Sequence, residues 1–211
     1  MNREYWNKYY TKKKAPTNPS LFAEYCLSEY LTERKTIVDL GCGNGRDSFY
    51  FASLGHKVFA IDQTDYVETL DKEAFKINDY HKNVTFIEDD FVTINYKALG
   101  AISAFYSRWT LHSISSDQEK IVLANVSDSL DRNGLFFIEA RTIKDALYGV
   151  GEEIEKNVFV TDHYRRFIDC EEFLSEIENY GFEILHFTES SGYSVYKGDD
   201  PVLMRTVLRK I

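Results

Sequence analysis

The sequence has few of the features that mark secreted, membrane-spanning or metal-binding proteins. Its three cysteines, Cys26, Cys42 and Cys170, are odd in number and scattered, which fits neither a disulfide framework nor a zinc site. It has no run of about 18 apolar residues that could span a membrane. Its first residues lack the apolar segment of a secretory signal. We therefore expect a cytoplasmic protein with no membrane partner and no metal site.

Positive charge is also scarce. The 211-residue chain has 25 lysines and arginines against 34 aspartates and glutamates, for a net charge of -9. Nucleic-acid affinity comes largely from cationic side chains that neutralise phosphates, so this balance argues against a nucleic-acid partner. With 3 prolines, 11 glycines and 44% hydrophobic residues, the composition is that of a packed globular protein. The length predicts a single domain over residues 1–211.

Short apolar segments with the composition of strands alternate with segments of helical spacing. The predicted strands in this part are residues 35–40, 56–62, 84–87, 101–106 and 134–140. The predicted helices are residues 21–32, 46–54, 66–80 and 117–130. Because parallel neighbours need crossover connections, the alternation favours a parallel sheet with helices on both faces.

The end of the chain breaks this alternation. A predicted helix at residues 171–180 precedes strands near 183–187 and 202–208, whose connection is too short for another crossover helix. These last strands should therefore pair antiparallel. The sequence predicts an α/β fold, a doubly wound, mostly parallel seven-stranded sheet with an antiparallel last strand.

A glycine-rich turn follows the first predicted strand. Residues 38–45 read VDLGCGNG, which places Gly41, Gly43 and Gly45 after Asp39 at a strand-to-helix junction. Glycines let the backbone pass close to a ligand at the carboxyl end of the strand, and Asp39 can meet an ammonium group directly or through water. The dinucleotide fingerprint needs a further glycine where this chain has Arg46, which argues against a nicotinamide-dependent oxidoreductase.

Acidic residues also follow the second and third predicted strands. The Asp62 carboxylate can accept hydrogen bonds from both hydroxyls of a ribose. Residues 88–91 read EDDF, so that a carboxylate can accept from an adenine amino group while a backbone N–H meets the ring. Both Asp89 and Asp90 are open for this role.

This combination resembles the class I S-adenosylmethionine-dependent methyltransferases. The resemblance covers roughly residues 35–140 and the terminal strand pair. It implies a Rossmann-like methyltransferase fold, S-adenosylmethionine as cofactor and S-adenosylhomocysteine as product. The cofactor-binding residues that it implies are Asp39, Gly41, Gly43, Gly45, Asp62, Asp90, Phe91 and Tyr106.

The family lines its methyl-transfer pocket with the segment after the fourth strand, which reads YSRWTLHS here, at residues 106–113. Trp109 is the expected substrate contact in this segment. His112 is either a general base, since the unperturbed pKa of histidine is near neutral, or a histidine that bonds loop backbone.

Residues 141–169 are expected to form a substrate-binding insertion over the carboxyl edge of the sheet. Its three arginines can bind an anion, because guanidinium groups match phosphate or carboxylate in bidentate fashion. At least one of the adjacent pair 165–166 should instead bond surface acids. The candidates here are Arg141 and His163 for catalysis, and Tyr148, Tyr164, Arg165 and Arg166 for substrate binding.

The aromatic N-terminal residues 1–34 are predicted to form a lid and a first helix. Tyr10 would contact the substrate, exclude water and face the sulfonium by a cation–π contact. The alternative is that these aromatic residues fasten the first helix to the core.

Three patterns together are similar to a narrower group of small bacterial-type methyltransferases: WNxYY followed by PxxPS, SRWTLHS, and EART followed by HYRRF. That group is associated with surface-polysaccharide gene sets. The likeness implies O-methylation of a small anionic acceptor, a phosphate, phosphoramidate or sugar group of a capsular polysaccharide. A non-catalytic S-adenosylmethionine sensor, and a methyltransferase for another small metabolite or metalloid, remain alternatives.

Overall fold

The computed structural model describes residues 3–12, 15–64 and 82–211. It contains ten strands: β1 (Thr36–Leu40), β2 (Lys57–Asp62), β3 (Val84–Glu88), β4 (Ile102–Arg108), β5 (Leu130–Arg141), β6 (Glu152–Glu155), β7 (Val158–Val160), β8 (Tyr164–Arg166), β9 (Phe182–Ser190) and β10 (Leu203–Lys210). Seven of them form the main sheet in the order β3-β2-β1-β4-β5-β10-β9. Strands β1 to β5 are parallel, and β10 runs antiparallel to both β5 and β9. The predicted sheet and its antiparallel last strand are confirmed.

The described helices surround this sheet. They are α1 (Arg3–Thr11), α2 (Leu21–Tyr30), α3 (Arg46–Ser53), α4 (Ser116–Ser129) and α5 (Cys170–Ile177), with short 3-10 turns at Tyr96–Leu99, Leu111–Ser113 and Glu178–Tyr180. Side chains cap three of them: Ser20 accepts the N–H of Ala23, Ser115 forms a capping box with Gln118, and Asp169 caps α5. The helix predicted at residues 66–80 lies outside the described residues.

The central strands are buried on both faces, which explains their nearly continuous apolar sequence. Along β5, Phe136 and Ile138 join one hydrophobic cluster and Phe137 joins the other. Successive strand residues point to opposite faces, so a single strand supplies both clusters. Burying each of these side chains stabilises the fold by roughly 1.5–3 kcal/mol relative to exposure. This rigid sheet positions the loops at its carboxyl edge.

The insertion at residues 141–169 has a structure that the sequence did not predict. Strands β6, β7 and β8 form a small antiparallel sheet after a stretch of turns. Tyr148, Phe159 and Phe167 pack edge to face beneath it. Within the described part of the chain, no helix is long and apolar enough to cross a membrane.

Candidate cofactor and acceptor site

A cavity of about 490 Å³ lies at the carboxyl ends of β1, β2 and β4. Its size is within the range of small-molecule pockets, roughly 300–1,000 Å³. The structure brings eleven of the sequence-predicted site residues to its lining: Tyr10, Asp39, Gly41, Asp62, Phe91, Tyr106, Trp109, His112, Arg141, His163 and Arg165. Six others do not line it: Gly43, Gly45, Asp90, Tyr148, Tyr164 and Arg166.

The glycine turn after β1 is held against the end of β2. The backbone N–H groups of Gly41 and Cys42 both donate to the Ile61 carbonyl, at 2.8 and 3.0 Å. Gly43 adopts φ +56°, and a Cβ there would lie 2.2 Å from the Tyr10 hydroxyl. A side chain there would therefore be strained by the backbone conformation and would displace Tyr10. The turn leaves room for groups that pack directly on its backbone.

The Asp62 carboxylate is fixed from both sides. Its Oδ2 accepts the N–H of Gly43 at 2.8 Å, and its Oδ1 accepts the N–H and hydroxyl of Thr64, each at 2.8 Å. An ionised carboxylate has about four acceptor positions, so these three bonds leave accepting capacity at the cavity. The arrangement fits a ligand that donates from vicinal hydroxyls.

Asp39 lies deeper, on β1. Its Oδ2 accepts the Ser48 hydroxyl at 2.5 Å. Burial raises the pKa of Asp39 to about 8, with a further contribution from the nearby Asp47 carboxylate. The carboxyl group is thus largely protonated near neutral pH, and a cationic ligand group beside it would favour ionisation. This fits the expected ammonium contact.

The turn after β3 presents an aromatic ring rather than a carboxylate. Phe91 is buried and lines the cavity. The neighbouring acids bond the turn itself: Asp89 Oδ1 accepts the N–H of Asp90 at 2.7 Å, and Asp90 Oδ1 accepts the N–H of Val92 at 2.9 Å. Each bond uses one oxygen of its carboxylate, and neither acid lines the cavity.

Trp109 occupies the left-handed region with φ +63°, which is a rare conformation for a bulky residue and costs of order 1–3 kcal/mol. Glu139 holds it there: the Trp109 backbone N–H donates to the Glu139 carbonyl at 2.8 Å, and the indole Nε1 donates to its carboxylate at 3.0 Å. The guanidinium carbons of Arg108 and Arg141 lie 5.0 and 5.1 Å from the indole ring centre. The indole is a fixed platform in the cavity.

The positive charge of Arg141 is balanced by carboxylates of the protein itself. One of its terminal nitrogens, Nη1, donates to both carboxylate oxygens of Asp145, at 3.0 and 2.9 Å, and Nη2 pairs with Asp199. Its guanidinium is therefore engaged with two acids, and it positions other groups more readily than it binds a free anion.

Both candidate catalytic histidines have engaged ring nitrogens. His112 Nδ1 accepts the backbone N–H of Arg141 at 3.3 Å, so the proton of the neutral ring is on Nε2. Burial, with Arg141 nearby, lowers the pKa of His112 well below its usual value. His163 lies between Asp162, 2.7 Å from Nδ1, and Arg165, which donates to Nε2 at 3.0 Å. Neither ring offers a free lone pair for proton removal in this arrangement.

Arg165 differs from its neighbour Arg166. Burial and the proximity of Arg141 lower the pKa of Arg165, and within the described residues no carboxylate forms an ion pair with it. Apart from its bond to His163, its donors are available to the cavity that it lines. Arg165 is therefore the cation in the site best suited to an anionic ligand.

The segment predicted as an N-terminal lid contains α1, which lines the cavity with Tyr5, Trp6, Tyr9 and Tyr10. The Tyr5 hydroxyl donates to Asp162 at 3.1 Å, and its ring lies 4.4 Å from the His163 ring. The lid is thus attached to the insertion through the same residues that orient Arg165.

The family model of a methyltransferase domain matches residues 37–134. These residues are a little under half of the chain, and over them the chain is similar to methyltransferase domains. A phosphoethanolamine N-methyltransferase of Zea mays is 24% identical over 196 residues, 89% of this chain. The chain spans only 36% of the length of that relative.

Solved structures share the fold. A 1,6-didemethyltoxoflavin-N1-methyltransferase of Burkholderia thailandensis, with its acceptor and S-adenosylhomocysteine bound, has a TM-score of 0.71 at 18% identity. The match covers 98% of this chain and 85% of that one. A methyltransferase of Methanosarcina mazei has a TM-score of 0.74 at 16% identity, over 88% of this chain and 96% of the other. These structures share the fold of this chain, and the first of them holds S-adenosylhomocysteine.

Three residues that the sequence predicted to bind the substrate do not line the cavity. Arg166 is buried, where it donates to Glu119 at 2.6 Å and to the Leu111 and Ile114 carbonyls at 3.0 and 2.9 Å. Tyr148 packs in the insertion, and Tyr164 lies outside the cavity lining. Arg166 therefore fastens the loop after β4. It pairs with an acid as the alternative expected, but that acid is buried and not on the surface. None of the three residues lines the cavity.

Sequence reasoning missed the connection between β9 and β10. Its residues 193–196, Tyr-Ser-Val-Tyr, line the cavity beside Arg108, which donates to Ser194 at 2.8 Å. A run of aromatic and apolar residues between the last two strands was the available signal. Among the described residues, no group of three or more histidine, cysteine or acidic side chains is placed to hold a metal ion.

Proposed function

We propose that the methyltransferase domain transfers the methyl group to an anionic oxygen on a small acceptor. The observation that carries the proposal is Arg165, a cavity-lining guanidinium with no paired carboxylate among the described residues. The other four arginines of the lining all pair with carboxylates, which distinguishes Arg165 from them: Arg3 with Glu88, Arg46 with Asp47, Arg108 with Glu139, and Arg141 with Asp145 and Asp199.

The residues of the glycine turn and the two next strand ends fit the cofactor. Asp62 would accept from the ribose hydroxyls, and Asp39 would meet the amino group. Phe91, which lines the cavity, would contact the adenine. Asp89 or Asp90 would accept from its amino group only after turning toward the cavity. When bound, the cofactor supplies a methyl group attached to positively charged sulfur. The acceptor oxygen would attack the methyl carbon in line with the C–S bond, whose electron pair stays on sulfur.

The side chains at the other end of the cavity would hold the acceptor oxygen in line. Arg165 would bind the anionic group, and the Nε2–H of His112 would donate to it. Trp109 provides a rigid wall for alignment. Such positioning supplies most of the catalysis in a displacement that needs no proton transfer.

The engaged histidines favour an acceptor that has already lost its proton. A sugar hydroxyl needs a base, whereas a phosphate, phosphoramidate or carboxylate oxygen does not. Within the surface-polysaccharide hypothesis, this favours the phosphate or phosphoramidate group over the sugar. We place the reaction in the cytoplasm, where the three free cysteines would stay reduced. The maize relative is named as an N-methyltransferase of phosphoethanolamine, an acceptor that has a phosphate group but is methylated on nitrogen.

The proposal is tested by S-adenosylhomocysteine formation from S-adenosylmethionine with three acceptor classes: phosphate monoesters and carboxylates, sugars, and primary amines. We expect turnover with the anionic class and an increase in KM of at least about tenfold in Arg165→Gln, the effect of losing roughly 1.4 kcal/mol of binding. Arg132→Gln, at an exposed arginine on β5, is the matched control. Turnover with amines or sugars alone would contradict the proposed acceptor. Cofactor binding without turnover on any class would favour the sensor alternative.

A further inference from the structure

Three of the residues that line the cavity have large, partly or wholly apolar side chains and are exposed, which places them at its mouth. Leu21 and Val195 both line the cavity, yet their side chains are 59% and 63% exposed. Tyr196 lines it as well, at 39% exposure. Large apolar side chains exposed together at the entrance of a pocket mark a surface that a ligand covers. The proposed anionic acceptor alone gives no reason for them.

The wall that contains Val195 is firmly held. Ser194 accepts from Arg108 at 2.8 Å, and the Tyr193 carbonyl accepts from Arg205 at 3.2 Å. The Arg205 guanidinium carbon lies 4.2 Å from the Tyr193 ring centre. Arg108 and Arg205 are themselves fixed by the fully buried Glu139, at 3.0 and 2.7 Å. The loop therefore presents Val195 on a scaffold that extends from β5.

Leu21 is positioned equally well. It follows Ser20, the N-cap of α2, whose backbone N–H and hydroxyl donate to Asp47 at 2.7 and 2.8 Å. The Asp47 carboxylate also accepts the Tyr106 hydroxyl at 2.9 Å. The exposure of Leu21 is thus built into the start of α2 rather than a consequence of a loose chain end.

We infer that the acceptor is an amphipathic anion: one anionic group bound by Arg165, joined to an aromatic or alkyl body that passes through the mouth and covers Leu21 and Val195. This inference rests on the proposed function. Different interactions recognise the two ends of the acceptor. Its anionic end is bound through charge and hydrogen bonds, and its apolar body through the removal of apolar surface from water. Specificity for the body is set at positions 21 and 195.

The separate recognition of the anionic end and the apolar body is tested by equilibrium binding to the protein saturated with S-adenosylhomocysteine. The probes are two matched pairs, phenyl phosphate with methyl phosphate and benzoate with acetate, measured by ligand-observed NMR. We expect the phenyl member of at least one pair to bind about tenfold more tightly than its small partner, since it adds apolar contact only. Val195→Asn and Leu21→Gln should remove most of this preference while the small member binds as before.

Two controls separate the possible failures. Ile154→Asn alters an exposed apolar residue of β6 away from the cavity and should keep the preference. S-adenosylhomocysteine affinity, unchanged in every variant, reports a correctly folded site. Equal binding of both members of each pair, with Arg165→Gln weakening both, would overturn the amphipathic acceptor and leave the proposed function intact. Absence of binding by all four anions would overturn the anionic acceptor, and this inference with it.

Discussion

The Asp62 carboxylate accepts the backbone N–H of Gly43 at 2.8 Å. The acid after the second strand and the glycine turn after the first are therefore one unit, although each reads as a separate motif in the sequence. The remaining Asp62 oxygen is held by Thr64. The protein's own hydrogen bonds therefore organise the proposed cofactor end of the cavity, which limits the conformational entropy lost on binding.

Replacement of Gly43 by alanine should weaken cofactor binding. The residue has φ +56°, and the new Cβ would lie 2.2 Å from the Tyr10 hydroxyl, so both the turn and the lid must shift. We expect S-adenosylhomocysteine affinity to fall by about tenfold or more, measured by calorimetric titration. Gly149→Ala is the matched control, because Gly149 also has positive φ, +81°, but a Cβ there meets no atom within 4 Å. Equal losses in the two variants would mean that backbone strain, and not close approach, explains the effect.

The ionisation of Asp39 should make stability depend on pH. Its pKa is about 8 in the folded protein because of burial, against about 3.9 in an unfolded chain. Between these values the folded state binds the extra proton, so stability falls as pH rises from about 4 to 8. Asp39→Asn removes the group that titrates. Between pH 4 and 8 the free energy of unfolding of this variant should therefore decline by about 1–3 kcal/mol less than that of the native protein. Urea unfolding at pH 5 and pH 8 measures the difference, and parallel declines in both proteins would rule out the raised pKa.

His112 should act as a hydrogen-bond donor rather than as a base. Its Nδ1 is engaged by the Arg141 N–H, and its pKa lies well below the usual value. With a carboxylate acceptor, kcat/KM should show no rise through the usual histidine range near pH 6.5. His112→Gln, which keeps an N–H donor, should lose less activity than His112→Phe, for which we expect roughly tenfold or more. A rate that rises through neutral pH in the native enzyme, and does not in His112→Gln, would instead identify a base.

Replacement of the adjacent residues Arg165 and Arg166 by alanine should affect different properties: acceptor binding for Arg165 and stability for Arg166. Arg166→Ala leaves the buried Glu119 without its partner, so we expect a loss of about 3–5 kcal/mol in the free energy of unfolding. Arg165→Ala removes no ion pair to a described carboxylate and should change stability much less while raising the KM of the acceptor. Urea unfolding and steady-state kinetics on both variants test this. A weakened acceptor in stable Arg166→Ala would restore the sequence-based assignment of that residue.

Local patterns predicted the sheet and singled out residues near the ends of β1, β2 and β3 that line the cavity, because strand periodicity and the glycine turn are encoded within a few neighbouring residues. The acceptor end depends on distant pairings. Arg166 finds Glu119, 47 residues away, and Arg108 finds Ser194, 86 residues away. Nothing in the HYRRF segment distinguishes the structural arginine from the cavity arginine. The left-handed conformation of Trp109 is imposed by Glu139 on another strand and is likewise invisible in sequence.

The most direct measurement is calorimetric titration of the protein and of Asp62→Ala with S-adenosylmethionine and S-adenosylhomocysteine, with Asp131→Ala as an exposed control. The account predicts micromolar binding of both ligands, weakened more than about tenfold, or 1.4 kcal/mol, by Asp62→Ala alone. Thermal unfolding of the variant should confirm that it is folded. Absence of binding to the native protein, or equal affinities of the protein and a folded Asp62→Ala variant, would contradict the assignment of this cavity as the cofactor site.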